Sequence, residues 1–437
     1  MAEKQKQFVD WFRQASPYIH AHRGQTFVLS FGGEAVADPT FRNLIHDIAL
    51  LSSLGIRLVI VPGARMQIEE RLRARGLEMQ VVNGIRITDE ATLGCVKDAV
   101  GAVCIEIMAQ LSRGLANQPT ANARIDVISG NYLTAKPIGI RDGIDFLYSG
   151  TVRKVDTQSI KTRLEGGDIV LVPPVGYSPT GECFNLNAHE VATAVASNLN
   201  ASKLIFLLED KAVIDTRGKL VQQITDTEAQ QLLASSPGLS ERLLELDDAI
   251  NACRNGVRRV HLVDRHVDGG LLLELFSRDG IGTLVSASPF DTLRKAQIDD
   301  VGGILDLIAP LEAEGMLVRR SREKLETEIE HFTVLVRDGA VIGCAAFYPY
   351  SKDGLAELAC LAVHPDYRNQ GRGDILFDNL ELTARQSGIK RLFALSTQTA
   401  HWFIERGFVE ASIDDLPVSK KELYNYQRNS KVFFKRI

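Results

Sequence analysis

The sequence predicts an α/β chain of two domains: a mainly parallel sheet covered by helices on both faces, then a smaller α+β domain with a mostly antiparallel sheet. Three observations predict it. The chain has 437 residues, more than a single core accommodates. Over the first two thirds, near-continuous apolar runs alternate with helical stretches, as buried parallel strands joined by helices do. From about Ser286 that alternation gives way to a helix followed by strand runs in close succession, the pattern of hairpins.

In chain order, "FVDWFRQASPYI" places Phe8, Trp11, Phe12 and Ala15 at helical spacing. This apolar stripe belongs to a helix over residues 1–20 that packs on its own domain or on a neighbouring subunit; spacing favours neither. Strand and helix then alternate: "TFVLSFGG" with "NLIHDIALLSSLG", "IRLVIVPGA" with "QIEERLRARG", "DIVLVPPVGY" with "AHEVATAVASNLNA", then "KLIFLLED" and a polar loop. The first domain runs over 21–285. Small and polar residues in "SASPFDTLRKAQ" mark a linker over 286–295. The second domain, 296–437, opens with the helix "VGGILDLIAPLEAEG". The strands "FTVLVRDG", "AVIGCAAFYPY" and "LAELACLAVHP" follow, with Asp338-Gly339 as the hairpin turn between the first two.

Composition narrows the function. A formal net charge of −5 with no long basic run argues against nucleic acid or an anionic membrane as partner. The apolar runs are too short to span a bilayer, and "MAEKQKQFVDWF" has no signal-peptide core. Six cysteines are scattered without a CxxC pair, so neither a metal site nor a disulfide framework is expected, and a reducing cytoplasm fits best.

"RNQGRGD", Arg368 to Asp374, follows a strand and opens a helix. Successive backbone N–H groups at such a start converge on a pyrophosphate, aided by the helix dipole. Gly371 and Gly373 permit close approach, and Arg368 and Arg372 add charge. This loop after the "LAV.P" strand, together with "HWFIERGF", resembles the coenzyme A motifs of the GCN5-related N-acetyltransferases over about Ala296 to Ile437. The resemblance implies a mixed sheet and acetyl-CoA as co-substrate. It places the coenzyme along Leu361, Ala362 and Val363, along Arg368, Gln370, Gly371, Arg372, Gly373 and Asp374, and beside Phe403 and Arg406. Many members carry a tyrosine that protonates the leaving thiolate; that position is Phe403 here, so another acid is needed.

Moving acetyl from a thioester to an amine requires a base, stabilisation of the carbonyl oxygen and a proton for the thiolate. Glu357, a carboxylate in the apolar strand "LAELACLAV", is the base candidate. A lone strand carboxylate usually faces solvent; the anion loop downstream tips the reading to a base. The acyl carbonyl then sits at the backbone near Cys360 and Leu361. Ser396 either donates the thiolate proton or satisfies a turn. "LVRRSRE" and "YQRNSKV" supply Arg319, Arg320, Arg322, Arg428 and Ser430. Paired guanidiniums suit an amine substrate that bears two carboxylates.

The first domain resembles the amino acid kinase family, most closely the acetylglutamate kinases, through "SFGG", "VPGARMQIEERL", "NGIRITD", "FNLNAHEVATAVASNLNASKLIFLLED" and "VRRVHLVDRHVDGGLLLELFSRDGIGTLV". That implies an αβα sandwich. Three departures stand out: the phosphate-neutralising lysine is Ser30, the Gly-rich loop reads "PGAR" at Gly63 to Arg65, and the aspartate that organises the catalytic lysines is His189. Without that charge, phosphoryl transfer is not expected. His261, Glu274 and Gly280 fall on the spacing of the arginine site of arginine-inhibited members. The aromatic N-terminal helix belongs to their ring-forming subset, which implies a homo-oligomer, a hexamer.

An inactive kinase-like domain joined to a GCN5-type domain resembles the N-acetylglutamate synthase family. The resemblance implies acetyl transfer from acetyl-CoA to L-glutamate, inhibited by L-arginine. Glu357 would be base and Ser396 acid, with Arg320, Arg428, Ser430 and the backbone at Val318 and Cys360 holding glutamate. Two alternatives remain beside it. One is a bifunctional synthase/kinase, which Ser30 and His189 oppose. The other is a non-catalytic regulator that binds arginine and coenzyme A, which the intact anion loop and Glu357 oppose.

Overall fold

The computed structural model describes residues 2–82, 84–112, 125–210, 213–214, 218–235, 244–277, 280–287, 291–337, 340–368, 371–398, 400–422, 424–425 and 428–437. The chain divides into two compact units, Met1–Ser288 and Pro289–Ile437. Among the described residues no helix is long and apolar enough to cross a membrane.

The first unit is built on an eight-stranded sheet. Its order is Gln223–Thr225, Thr283–Ser286, Arg259–Asp264, Lys203–Leu208, Thr26–Phe31, Arg57–Pro62, Ile169–Leu171 and Val127–Ser129. Every pairing is parallel except that between Arg259–Asp264 and Thr283–Ser286. The central strands are buried on both faces because their side chains alternate between two apolar layers. Val28, Val59, Val61, Leu204 and Phe206 meet the helix Ala188–Leu199 on one side. Phe27, Leu29, Leu58, Ile60 and Ile205 face the helices Phe41–Ser53 and Glu90–Leu111 on the other. Side chains fix where helices begin: Asp89 accepts from the Thr92 N–H, and Asn187 accepts from those of His189 and Glu190. A four-stranded sheet, Cys183–Asn185, Val175–Tyr177, Leu133–Pro137 and Gly150–Val155, completes the unit.

The N-terminal helix, Ala2–His22, divides its apolar stripe. Ala15 is buried in the first unit's core, with Tyr18 and Ile19 packed beside it, whereas Phe8, Trp11 and Phe12 are exposed. The helix is anchored at its end by His22, whose Nε2–H donates to the Leu275 carbonyl at 2.8 Å.

The second unit holds a seven-stranded sheet in the order Thr292–Lys295, Phe332–Arg337, Ala340–Tyr350, Leu355–Val363, Arg391–Ser396, Lys431–Arg436 and Val409–Ala411. One pairing, Leu355–Val363 with Arg391–Ser396, is parallel and the rest antiparallel, giving the mixed sheet. The stretch 286–295, expected to be a linker, is partly paired backbone. Ser286 ends a strand of the first sheet, and Thr292–Lys295 forms the edge strand of the second. Four residues, with Leu293 between Thr292 and Arg294, are too few for alternation to stand out among polar residues. The hairpin turn Asp338-Gly339 lies outside the described residues, between antiparallel strands that do pair.

Candidate active site

The site of the second unit begins with a register fault. Along Leu355–Val363, Ala359 pairs with Ala346 and Ala362 with Cys344, so Cys360 and Leu361 together face the single residue Ala345. This is a β-bulge. It puts Cys360 at φ 51°, the left-handed region that non-glycine residues avoid. Backbone strain of this kind gathers at functional sites, where surrounding structure enforces it. On the other edge of the strand, parallel pairing runs from Leu355–Arg391 to Leu358–Ala394. Both strands continue beyond it, to Val363 and Ser396. A wedge therefore opens between the bulged backbone and Ser396, which is buried at the strand end.

Glu357 lies just before that wedge. It is buried, and its Oε2 is 2.6 Å from Nζ of Lys420, a residue of the short helix Val418–Lys421. The Tyr350 phenol is pushed up to about 12 by burial and by the charge of Glu357.

The anion loop follows the same strand. Gly371 takes φ 74° as N-cap of the helix Arg372–Gln386, a conformation that glycine adopts without penalty. The loop's charges are less available than its spacing suggested. Arg372 is buried, its Nε bonded to Asp291 at 2.7 Å and its guanidinium over the Tyr367 ring. Arg368 turns back to donate to the Val363 carbonyl. Asp374 accepts from Arg406, whose guanidinium lies 3.9 Å from the Trp402 ring centre. Gln370 lies outside the described residues. Phe403, expected at the coenzyme, is buried: its ring stacks on Phe433 and meets Phe408 edge-on.

Of the arginines expected to bind carboxylates, Arg320 and Arg428 come together, while Arg322 is exposed and pairs with Glu326 at 3.5 Å. Arg428 is held low by burial and by the positive charge of Arg320. It donates from Nη2 to the Met316 carbonyl at 2.5 Å, while its buried Nε has no partner. Arg320 donates to the Val318 carbonyl at 3.1 Å. Burial works against the charge of Arg320, but its neighbours Cys360, Tyr348 and Glu328 raise it on balance. Tyr348 in turn donates to Glu328 at 2.6 Å. Arg428 thus keeps a buried donor beside a second guanidinium, an arrangement that an anion would stabilise. Ser430 is buried, its carbonyl accepting from the Tyr424 hydroxyl at 2.6 Å. Lys420, Tyr348, Glu328 and Asp291 were not singled out from sequence. Each acts through a contact made by chain return, with no local spacing to mark it.

In the first unit, His261, Glu274 and Gly280 also converge. His261 is pushed down to about 4 by burial and by the nearby Lys203. Lys203 Nζ lies 3.2 Å from His261 Nε2, and an ammonium only donates, so Nε2 is the acceptor and Nδ1 carries the proton. Nδ1–H then donates to Glu274 Oε1 at 2.6 Å. Glu274 Oε2 accepts from the N–H groups of Ile281 and Gly282, at 2.8 Å each. Burial alone would raise the Glu274 carboxyl; these donors hold it low. Gly280 takes φ 62°, and a Cβ there would lie 2.4 Å from Glu274 Oε2.

The kinase-like positions hold buried or internally bonded side chains. Ser30 is buried and its hydroxyl lacks a partner. Gln67 fills the space over Gly33, donating to its carbonyl at 2.7 Å. His189 is bonded through Nδ1 to Asp248 at 2.9 Å; burial opposes its charge, but Asp248 raises it on balance.

Comparison with known proteins agrees with this division. Residues 25–264 match the amino acid kinase family and residues 305–408 the acetyltransferase (GNAT) family. An amino-acid acetyltransferase of Pseudomonas fluorescens strain SBW25 is 51% identical over 99% of this chain and 100% of its own. Another, from Ralstonia nicotianae, is 48% identical over 99% of this chain and 96% of its own. The crystal structure of N-acetylglutamate synthase from Neisseria gonorrhoeae complexed with coenzyme A and L-arginine is 39% identical, with a TM-score of 0.91, covering 98% of this chain and 99% of that one. The same protein complexed with coenzyme A and N-acetyl-glutamate is 40% identical at TM-score 0.63, with the same coverage.

Proposed function

The chain belongs to the amino-acid acetyltransferase family, and from that premise we propose that it transfers the acetyl group of acetyl-CoA to the α-amine of L-glutamate, under feedback inhibition by L-arginine. One observation carries the reading. A buried carboxylate, Glu357, lies on the strand that bulges at Cys360 and parts from its parallel neighbour, and the Gly371 helix start follows that strand in the chain.

The coenzyme's pyrophosphate binds the N–H groups at the helix start, and its pantetheine arm lies along Leu361 to Val363. Glutamate's carboxylates take the place prepared by Arg320 and Arg428, next to Ser430 and the backbone at Val318. Glu357 removes one proton from the substrate ammonium. The freed lone pair attacks the thioester carbonyl carbon, and the oxygen's developing charge is held by N–H groups at the bulge. Collapse breaks the C–S bond. The second amine proton leaves as the amide forms, a proton reaches the thiolate through the Ser396 hydroxyl, and Glu357 returns its own proton to water. A thiol pKa near ~8.5 makes this leaving group undemanding.

The front domain serves as a sensor. Three of the roughly four acceptor positions of the Glu274 carboxylate are used internally, which leaves one for a guanidinium or ammonium of arginine beside Gly280. Ser30 and the Gln67 plug argue against phosphoryl transfer there. The exposed Phe8, Trp11 and Phe12 suit contact with further copies of the chain, in a ring of six, and the enzyme works in the cytoplasm. The test is thiol release from acetyl-CoA with each amino acid in turn, with and without arginine. Release confined to glutamate and suppressed by arginine is expected; release with another amine alone would overturn the assignment.

A further inference from the structure

We propose that Lys420 is the positioning residue for the base: its ammonium fixes Oε2 of Glu357 and leaves the rest of the carboxylate to take the substrate's proton. This rests on Glu357 acting as the base. The contact is 2.6 Å, between side chains only 21% and 7% exposed. Among the described residues Lys420 is the one cation within ion-pair distance of Glu357; the other titratable group facing it is the Tyr350 phenol, pushed up to about 12 and therefore neutral at working pH. A buried carboxylate needs a counter-charge, and Lys420 supplies it.

The lysine is aimed by its backbone. Pro417 starts the short helix, its carbonyl accepting from the Lys420 N–H at 2.9 Å. The preceding residue, Leu416, is buried with Leu355, Phe393, Tyr424 and Val432, which pins the segment to the two strands that form the wedge. The neighbouring Lys421 shows the contrast: its head lies 3.8 Å from Asp414, which is fully on the surface. One of two adjacent lysines serves solvent and the other serves the site. The arrangement also bears on the substrate. A second ammonium brought to the same carboxylate meets the like charge of Lys420, and like charge favours its deprotonation to the nucleophilic amine.

The test compares K420M, K420R, E357Q and E357Q/K420M as full chains, with acetyl-CoA and L-glutamate. K420M should lose about tenfold or more in kcat while KM for acetyl-CoA stays within about twofold. K420R should recover most of the rate, and the double variant should be no slower than E357Q, because Lys420 acts through Glu357. Wild-type kcat in K420M, or losses that multiply in the double variant, would overturn the proposal. If K420M fails to fold because it strands a buried charge, the neutral E357Q/K420M pair still decides against E357Q alone. Undiminished kcat in E357Q would instead remove the base itself, a separate result.

Discussion

Two buried carboxylates, one in each unit, are used in opposite ways. Glu274 is closed in by three donors: the His261 imidazole and the N–H groups of Ile281 and Gly282. Glu357 has one ion-pair partner among the described residues, Lys420, on one of its oxygens. A carboxylate surrounded by fixed donors is a poor proton acceptor and a stable fixture, suited to recognising a cation. A carboxylate held at one oxygen, beside a strained bulge, keeps lone pairs for chemistry. The backbone repeats the contrast: Glu274 lies on the helix Gly270–Phe276, to which His22 anchors the N-terminal helix, whereas Glu357 borders strands that part.

The sharpest way to break this contrast is to neutralise each carboxylate. E357Q should lose about a hundredfold or more in kcat, the range of general-base catalysis, while still binding coenzyme A by calorimetry. R320A should raise KM for glutamate about tenfold to a hundredfold, the value of a charged hydrogen bond, and leave KM for acetyl-CoA alone. E274A acts on the fixture: it strands the His261 donor and two buried N–H groups, so the first unit's melting transition should fall by about 5 °C and the arginine concentration for half-inhibition should rise. The smallest effect is in pH. His22 is pushed down to about 4 by burial and by Lys203. A depressed histidine contributes stability that is complete above its unfolded value near ~6.5 and is lost as pH falls toward its folded value. Asp47, raised to about 7 by burial and by Asp268, works in the opposite sense over the same range. The clean readout is therefore the difference in melting temperature between wild type and H22Q from pH 7 to pH 4, which should shrink as pH falls. A constant difference would show that His22 is protonated in place.

What the sequence made legible was local. The strand that carries Glu357 and the Gly371 helix start follow from spacing within one or two elements, whereas the pairing of His261 with Glu274 was implied only by the family resemblance. What it hid was made by chain return. Lys420 stands in a polar run far along the chain from Glu357, and only the burial of Leu416 brings it back. The ion pair of Arg372 was hidden because Asp291, its partner, sits in a stretch that looked like linker. The packing of Phe403 against Phe408 and Phe433 was not legible either, because Phe433 comes from a strand well along the chain. The edge strand Thr292–Lys295 was missed because four residues carry too little alternation to outweigh polar composition.

The proposed division of labour puts acyl transfer in the second unit and recognition without phosphate chemistry in the first. The most direct measurement gives the purified chain both reactions and follows both products: free thiol from acetyl-CoA with L-glutamate, and ADP from ATP with N-acetyl-L-glutamate. Thiol release that requires glutamate, with ADP at the level of a protein-free control, is the predicted result. ADP formed in step with N-acetyl-L-glutamate consumption, or thiol release indifferent to glutamate, would contradict it.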